Sequence, residues 1–432
     1  MKRFLTFLAF SIIIVTISFG IYKINNKHTI DIINKNLEWS INSKGIKNAK
    51  SFGFDEDGNL YIAFSDSIKV IRKDNKEETL IKKKNFNIYD MVIYKNDIIL
   101  ATGRDVIKYS YENDEIVELI KDMPNLGENK YTKLLIKDDK LYITLGTNTN
   151  SGILDKDSTN CDIPSFEWIL TGKNYGENNT GAFVEFGVQN KSGEKIKEGP
   201  ISNGSILCYD FNLSKLSTFA TGIRNIEGLD FNNDGEIIAI VGGMEDEGSR
   251  PIKDDKDYIY EIKENAWYGW PDYSGGDSIT SPKFSNGENK LEAVISNPPT
   301  KVPYGPIYQH YNLSSLKALA IDRNGYILGE DVVIFADNKE NYLYSLGKNN
   351  VANKIVDLGD NSKVEVIRYY KNSIYVLDSK VGFLYKLESK VNSTAFKLPL
   401  IIWGFVVLFV ITLIIAEVLK YNKKIKRARD IF

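Results

Sequence analysis

A short pattern of apolar strand, polar turn and apolar strand recurs six times along the middle of the chain. Within each copy, apolar and polar positions alternate every second residue, which is the periodicity of a half-buried β-strand. The copies cover residues 52–63, 91–101, 134–144, 229–239, 319–328 and 367–376. In most copies a further apolar strand follows after a short gap, at 67–71, 106–109, 258–262, 342–346 and 382–387. Because such units cannot bury their faces alone, they stack radially. The pattern therefore predicts an all-β fold, a six-bladed β-propeller over residues 37–390.

The spacing of the copies is uneven because the third and fourth carry long insertions. These insertions span residues 147–202 and 263–306 and are rich in Gly, Asn, Ser and Pro. A scaffold of short, regular turns does not need excursions of this length. We therefore expect the insertions to build a surface over one mouth of the propeller, where loops carry function. The alternative is that they are decoration without a function.

An apolar run flanks the predicted propeller on each side. Residues 4–22 follow Met1-Lys2-Arg3, and residues 398–419 precede a strongly basic segment. Each run is long enough to cross the roughly 30 Å hydrocarbon layer of a bilayer as a helix. The sequence thus predicts a transmembrane helix at each end of the propeller.

The positive charges beside both runs lie on the side away from the propeller, and such charges stay in the cytoplasm. We expect a protein of the cell membrane with both termini cytoplasmic and the propeller on the extracellular side. A cleaved signal peptide is the alternative for the first run, but small residues are scarce where the cleavage site would fall. The expected parts are an anchor over 1–24, the propeller over 37–390, a second transmembrane helix over 398–420 and a basic cytoplasmic tail over 421–432.

The amino-acid composition excludes several classes of function. The net charge is −2 and no basic stripe with interleaved aromatic residues occurs, so we expect no nucleic-acid partner. His28 and His310 are the only histidines, which excludes zinc sites and His-triad chemistry. The two cysteines, Cys161 and Cys208, either form a disulfide or remain as two free thiols, and their spacing does not decide between these.

The segment 221–272 combines several motifs in a specific order. Two alternating strands surround an Asn-Asp-Gly turn at 233–235, which predicts a tight hairpin. Gly242 and Gly243 follow and let the backbone turn or approach a ligand closely. The segment then closes with Tyr-Gly-Trp-Pro at 268–271.

This order of motifs resembles the glucose/sorbosone dehydrogenase family, quinoprotein β-propellers that oxidise sugars with pyrroloquinoline quinone (PQQ) and calcium. The shared pattern is a Gly-x-Arg-Asn box, a Gly-Leu-x-Phe strand, an Asp-Gly turn, a glycine loop, a Tyr-rich strand and the Tyr-Gly-Trp-Pro ending. The matching residues are Gly222, Arg224, Asn225, Gly228, Leu229, Phe231, Asp234, Gly235, Gly243, Tyr258 and 268–271. The resemblance is strong in this segment and weaker elsewhere.

The resemblance implies a cofactor site at the mouth of the propeller. Arg224 and Asn225 match the residues that contact the quinone, and a guanidinium suits the carboxylate and carbonyl oxygens of that cofactor. Calcium would be held by backbone carbonyls of the loop that matches Gly243 and Met244. The family usually carries another residue at the position of Met244.

The same resemblance implies a catalytic base just ahead of the third-blade strand, where the family carries a histidine. This chain has Lys130 there. A lysine accepts a proton at neutral pH only when burial lowers its pKa by several units. His310 lies ahead of the fifth unit, where related sorbosone-type sequences also carry a histidine, and is the second candidate for acid-base chemistry.

Two functions therefore remain open from the sequence. In the first, the protein is a membrane-tethered, PQQ-dependent sugar dehydrogenase that oxidises a sugar hydroxyl or aldehyde. In the second, the propeller is catalytically inactive and serves as an extracellular module that binds a glycan or a protein. Both the dehydrogenase and a glycan-binding module would bind a sugar or glycan and would have two membrane anchors. Lys130 is the residue that discriminates between the two functions.

Overall fold

The structure is a computed structural model that describes residues 30–284 and 290–390, together with Thr16 and seven positions between 411 and 420. The chain divides into two units, Ile30–Ser389 and a second unit made of Met1–Thr29 and Lys390–Phe432. The predicted membrane segments fall in the second unit and lie almost entirely outside the described residues. At the positions that are described, no helix is long and apolar enough to cross a bilayer.

The described residues between 30 and 389 form six antiparallel blade sheets, one for each predicted unit, and two small two-stranded sheets, so the all-β six-bladed propeller is confirmed. Two strands precede the first blade: β1 (Asp31–Ile32) and β2 (Leu37–Lys44). Blade 1 contains β3 (Ser51–Phe54), β4 (Leu60–Ala63), β5 (Ser67–Ile71) and β6 (Glu77–Lys82). Blade 2 contains β7 (Ile88–Tyr94), β8 (Asp97–Thr102), β9 (Asp105–Ser110) and β10 (Glu115–Ile120).

The two blades with insertions keep the same plan. Blade 3 contains β11 (Leu134–Lys137), β12 (Lys140–Leu145), β15 (Ser205–Asp210) and β16 (Lys215–Thr221), and its insertion holds β13 (Trp168–Ile169) and β14 (Lys195–Ile196). Blade 4 contains β17 (Ile226–Phe231), β18 (Ile237–Val241), β19 (Tyr258–Ile262) and β22 (Tyr308–Gln309). Its insertion holds β20 (Tyr273–Ser274), β21 (Asp277–Ser278) and one turn of 3₁₀-helix, Pro282–Phe284.

The last two blades use the N-terminal strands. Blade 5 contains β23 (Leu316–Asp322), β24 (Val332–Asp337), β25 (Tyr342–Leu346) and β26 (Ala352–Asp357), with β1 added at its outer edge. Blade 6 contains β27 (Val364–Tyr370), β28 (Ser373–Asp378) and β29 (Phe383–Ser389), and β2 is its fourth strand. The register pairs Leu37 with Ser389 and Lys44 with Phe383. The N-terminal segment therefore closes the ring.

Five of the six recurring sequence copies are the inner hairpin of one blade, as the alternation predicted. The prediction for the fifth copy was wrong in its second strand: residues 326–328 form a turn whose N–H groups bond to Asp322, and β23 pairs instead with β24. The second strand of a blade is buried on both faces, as in β18 and β28, because neighbouring blades cover it. The outermost strands β6 and β10 are largely exposed. The hydrophobic core consequently lies between blades, and no blade buries its apolar surface without its neighbours.

Buried carboxylates tie the inner strands together near the propeller axis. Asp90 of β7 is 3% exposed and accepts hydrogen bonds from the Ser51 hydroxyl (2.6 Å) and the Leu134 backbone N–H (2.9 Å). The Arg368 guanidinium also donates to Asp90, at 3.1 Å. This one side chain therefore contacts blades 1, 3 and 6 from its place in blade 2.

A second carboxylate of this kind is Asp230 of β17. It accepts a hydrogen bond from the Ile321 backbone N–H at 3.0 Å and one from the Arg323 guanidinium at 2.9 Å. Blade 4 is thereby joined to blade 5. Because burial raises the pKa of Asp230, its charge depends on these donors.

The two insertions pack against each other. Leu170 and Ile295 form an isolated antiparallel bridge between them, and Trp168, Trp267 and Phe284 share one apolar cluster. Within this cluster lies Met244, which comes from the loop after β18. The insertions thus form a second, smaller core beside the ring. In the described structure Cys161 and Cys208 are both free, so they do not form a disulfide.

We expect Asp90→Ala to lower the free energy of unfolding by about 3 kcal/mol, because it leaves the partly buried Arg368 without its carboxylate. Urea denaturation of the purified chain measures this. Asp74→Ala is the matched control, since the Asp74–Lys76 pair lies at the surface and its loss should leave the midpoint unchanged. Equal midpoints for the two variants would contradict the role of Asp90.

Candidate functional site

A cavity of about 200 Å³ lies where the inner strands of blades 3, 4 and 5 begin. We call it the mouth cavity. Its walls come from the residues before β11, the start of β17, the loop after β18 and the start of β23. The lining residues are Glu128, Asn129, Arg224, Asn225, Glu227, Gly242, Glu245, Glu247, Asp257, Ser314, Leu316 and Lys317. The cavity is therefore polar on nearly every side.

Asn150, in the insertion of blade 3, fixes the position of Arg224. The Asn150 backbone carbonyl accepts hydrogen bonds from Arg224 Nε at 3.3 Å and from Trp270 Nε1 at 3.0 Å. Its side chain pairs with the backbone of Glu245, accepting at 2.7 Å and donating at 2.8 Å. One buried asparagine thus connects Arg224, the loop after β18 and the Tyr-Gly-Trp-Pro segment.

Asp162 in turn holds the segment that carries Asn150. Its carboxylate accepts hydrogen bonds from the backbone N–H groups of Asn148 and Thr149 and from the Thr149 hydroxyl. Asp162 is 4% exposed, and burial raises its pKa to about 7 although these donors oppose the rise. The support of Arg224 therefore includes a carboxyl group that titrates near neutral pH.

The loop after β18 is packed too closely for any residue but glycine at Gly243. A Cβ atom there would lie 2.2 Å from the backbone carbonyl oxygen of Lys256. The next residue, Met244, donates its backbone N–H to Asp255 at 2.7 Å. Asp255 also accepts from the Tyr258 hydroxyl at 2.7 Å, which anchors the loop to β19. The sequence predicted that Gly243 allows a turn or the close approach of a ligand. In the structure the close neighbour of Gly243 is the backbone of the same chain, at Lys256.

The mouth cavity is acidic. Its lining holds five carboxylates, Glu128, Glu227, Glu245, Glu247 and Asp257, but only two cations, Arg224 and Lys317. Lys317 is already paired with Glu227. Asp257 is satisfied by three backbone N–H groups, those of residues 314, 315 and 316. Arg224 is consequently the cation that remains to face a ligand.

Glu128 stands apart among these acids. Partial burial raises its pKa, and repulsion from Asp155, Glu247 and Glu245 adds to this, while attraction to Arg224 opposes it.

The structure brings some of the predicted site residues together and separates others. Arg224 and Asn225 both line the mouth cavity. Gly243 and Met244 lie behind its wall, and the side chain of Met244 is 1% exposed within the insertion core. Lys130 is exposed and is not part of the lining, whereas its neighbour Asn129 is.

His310 occupies a different environment from the cavity. Its Nε2 pairs with Asp337 at 2.9 Å, its Nδ1 with the Tyr308 hydroxyl at 3.1 Å, and neither His310 nor Asp337 has exposed surface. The ring also packs on Tyr311 and Phe335. The bonds from His310 and from the backbone N–H groups of residues 339 and 340 hold the pKa of Asp337 below its usual value, although burial acts the other way. These contacts join blade 4 to blade 5.

Sequence reasoning did not identify Asn129, Asn150, Asp162 or Asp255 as parts of the site. Asn150 and Asp162 lie in the insertion, where no periodic pattern exists to place them. Asn129 directly precedes Lys130 but lies in the loop ahead of β11, where no alternation of side chains applies. Across the described residues, no three His, Cys, Asp or Glu side chains converge as metal ligands.

No family description and no curated protein sequence matches the chain. Solved structures do share its fold. The apo form of soluble aldose sugar dehydrogenase from Escherichia coli matches with a TM-score of 0.56 and 11% identity, over 82% of this chain and 100% of that one. The PQQ-bound aldose sugar dehydrogenase from Streptomyces coelicolor matches with a TM-score of 0.52 and 12% identity, over 82% and 98%.

A calcium structure of a Trichoderma reesei carbohydrate-active enzyme matches with a TM-score of 0.56 and 15% identity, over 84% of this chain and 97% of that one. The chain therefore has the β-propeller fold of PQQ-dependent sugar dehydrogenases, as the motifs in residues 221–272 predicted. At these identities the likeness concerns the fold. Structures of this fold include one bound to PQQ and one with calcium, the two cofactors that the resemblance implied.

The lining of the mouth cavity does not fit PQQ as it stands. PQQ carries three carboxylates, whereas the lining has five carboxylates against two cations, and like charges repel. The volume of about 200 Å³ is also below the roughly 300 Å³ at which pockets for drug-sized ligands begin. Arg224 and Asn225, the quinone contacts that the resemblance implies, do line the cavity, but their surroundings favour a smaller ligand without negative charge.

The raised pKa of Asp162 leads to a pH dependence with a defined sign. In the unfolded chain its pKa is about 3.9, so between about pH 4 and pH 7 the folded protein keeps a proton that the unfolded chain has lost. The stability due to this group is therefore present at low pH and is lost as pH rises through about 7. We expect the unfolding temperature of the wild type to fall, relative to Asp162→Asn, between about pH 5 and pH 8.

Thermal unfolding at fixed ionic strength across this range measures the difference. Asp157→Asn is the matched control, because Asp157 is exposed and lies five residues away. Curves of wild type and Asp162→Asn that stay parallel across the pH range would show that Asp162 titrates normally.

Proposed function

We propose that the protein is a sugar-binding propeller held at the outer face of the cell membrane, with the sugar in the mouth cavity. The observation that carries this proposal is the polar lining around Arg224, which combines amide, hydroxyl, carboxylate and guanidinium groups in one small concave space. Sugar hydroxyls both donate and accept hydrogen bonds, so they match a lining of this mixed character. The sugar dehydrogenases that share the fold support a sugar as the ligand class.

The charge of the cavity narrows the class of sugar. Five carboxylates against two cations disfavour an anionic ligand and favour a neutral or cationic one. Glu245 and Glu247 lie on the loop that Asn150 holds in place, so their charge stays at the cavity. We therefore propose neutral sugars and amino sugars as ligands and expect uronic acids to be rejected.

Binding without oxidation is the function that the described residues favour. A dehydrogenase needs a group that takes the hydroxyl proton of the sugar. Neither base that the resemblance implied is in place, because His310 is committed to Asp337 and Lys130 points to solvent. A dehydrogenase would have to use one of the carboxylates that line the cavity. PQQ-dependent sugar oxidation remains the second candidate because Arg224 and Asn225, which match the quinone contacts of the resembling family, line the cavity.

The membrane location rests on the sequence. Apolar runs at 4–22 and 398–419 with outer flanking positive charges support two anchors with both termini in the cytoplasm. Two anchors of this kind would keep the mouth cavity at the cell surface, where a sugar ligand from outside reaches it without transport.

Isothermal titration of the purified full-length chain with glucose, glucosamine and glucuronate tests the ligand class. We expect saturable binding of glucosamine and glucose and at least tenfold weaker binding of glucuronate. Arg224→Gln should weaken glucose binding tenfold or more, because it removes charge-assisted hydrogen bonds of about 1.5–3 kcal/mol. Lys130→Ala is the matched control and should bind as the wild type does.

The same samples separate the two candidate functions. PQQ with calcium is added, and glucose-dependent reduction of a dye is followed. Glucose binding without dye reduction supports the binding module. Dye reduction by the wild type that is lost in Arg224→Gln would show that the protein is a dehydrogenase and not a binding module. Tight binding of glucuronate would contradict the argument that the acidic cavity rejects anionic sugars.

A protease added to intact cells tests the location. We expect cleavage within the propeller at 30–390, while tags on both termini stay protected until the cells are opened. A tag fused ahead of residue 1 and one fused after residue 432 serve as internal controls for each other. Cleavage of either tag in intact cells would contradict cytoplasmic termini.

A further inference from the structure

A small pocket near the propeller axis adjoins the mouth cavity. We call it the axial pocket, and it is lined by residues in or directly before the inner strands of blades 2 to 6. Glu227 lines both the axial pocket and the mouth cavity, so the two spaces are neighbours. The axial pocket has a volume of about 30 Å³. That is enough for one water molecule or one hydroxyl group, but a sugar ring would have to lie above it.

Lys133 supplies a hydrogen-bond donor to the axial pocket. The other charged side chains of the lining form ion pairs, which are Asp90–Arg368, Glu227–Lys317 and Glu365–Lys363. The ammonium group of Lys133 has no such pair among the described residues and is partly exposed. An ammonium group carries three N–H donors and no acceptor. Lys133 can therefore donate to a ligand hydroxyl that enters the pocket.

Tyr131 lies between the mouth cavity and the axial pocket along the chain. Asn129, two residues before it, lines the mouth cavity, and Lys133, two residues after it, lines the axial pocket. Two residues span at most about 7 Å, so the backbone of Tyr131 is close to both walls. Tyr131 is also 56% exposed. A large aromatic side chain thus stands open to solvent where the two spaces meet.

Tyr89, the second residue of β7, sets the orientation of the Tyr131 ring. The two ring centroids are 5.1 Å apart and the ring planes meet at 77°, which is an edge-to-face contact. Whichever ring supplies the edge, Tyr89 covers at most one face of Tyr131. The other face remains for a ligand. The C–H groups on one side of a pyranose ring are apolar and lose contact with water when they lie on such a face.

We propose that the mouth of the propeller binds an oligosaccharide, with one unit in the mouth cavity and the next unit above the axial pocket. The second ring stacks on Tyr131, and one of its hydroxyl groups accepts a hydrogen bond from Lys133. This inference rests on the proposed function, because it extends the same sugar site toward the axis. Tyr131 and Lys133 then determine the length of the sugar chain that the protein prefers, whereas the mouth cavity determines the charge of its first unit.

Isothermal titration of the full-length chain with glucose, maltose and cellobiose tests the proposal. We expect at least one of the two disaccharides to bind about tenfold more tightly than glucose, the order expected for partial burial of an aromatic side chain. Tyr131→Ala should remove this gain and leave the affinity for glucose unchanged, while Tyr131→Trp should keep the gain. Lys133→Met should weaken disaccharide binding about fivefold through the loss of one hydrogen bond.

Tyr326→Ala is the matched control. Tyr326 is 49% exposed and lies between β23 and β24, at the ends of the inner strands that point away from the mouth. This variant should bind all three sugars as the wild type does. The proposal is wrong if the wild type binds glucose and both disaccharides with equal affinity, or if Tyr131→Ala weakens glucose binding as much as disaccharide binding. Absence of binding for all three sugars would instead overturn the proposed function, and this inference with it.

Discussion

The pairing of β2 with β29 is the interaction on which the rest of the structure depends. A propeller buries its core between blades, so a ring that does not close leaves the apolar faces of its first and last blades in water. Here eight residues from the start of the propeller complete the last blade, and the register runs from Leu37 opposite Ser389 to Lys44 opposite Phe383. The bonds that hold Asp90 and Asp230 near the axis have fixed geometry only because this closure fixes the blades.

Buried aspartates stabilise both the axis of the propeller and the loops around the mouth cavity, but they hold different parts of the chain in the two places. On the axis, Asp90 and Asp230 accept hydrogen bonds from backbone N–H groups of the next blade. These bonds fix the position of each blade relative to its neighbour. At the mouth, Asp162 uses the same kind of bond to hold the segment of Asn150, which supports Arg224, and Asp255 uses it to hold the loop of Gly243. Carboxylates with several backbone donors thus have structural roles here, and they include Asp257 on the cavity wall.

Much of the fold could be predicted from the sequence, because alternation reports which faces of a strand are covered and six copies define six blades. The pairing partner of β2 could not, since Leu37 and Ser389 are joined by ring closure and by no local pattern. The site was predictable only where a motif exists, as for Arg224 and Asn225. Nothing local shows that His310 meets Asp337, or that Asn150 supports Arg224, because these contacts join distant segments.

Ring closure also determines how the propeller bears a mechanical load. The chain enters β2 at Leu37 and leaves β29 at Ser389, and these two residues are direct partners at one end of an antiparallel pair. A force that separates the two ends of the propeller therefore acts on one rung of the ladder at a time, as in opening a zipper. Shear along the strands would instead load all rungs together. Tension across the ends of the propeller consequently detaches the short strand β1 from β26 and then opens the last blade rung by rung.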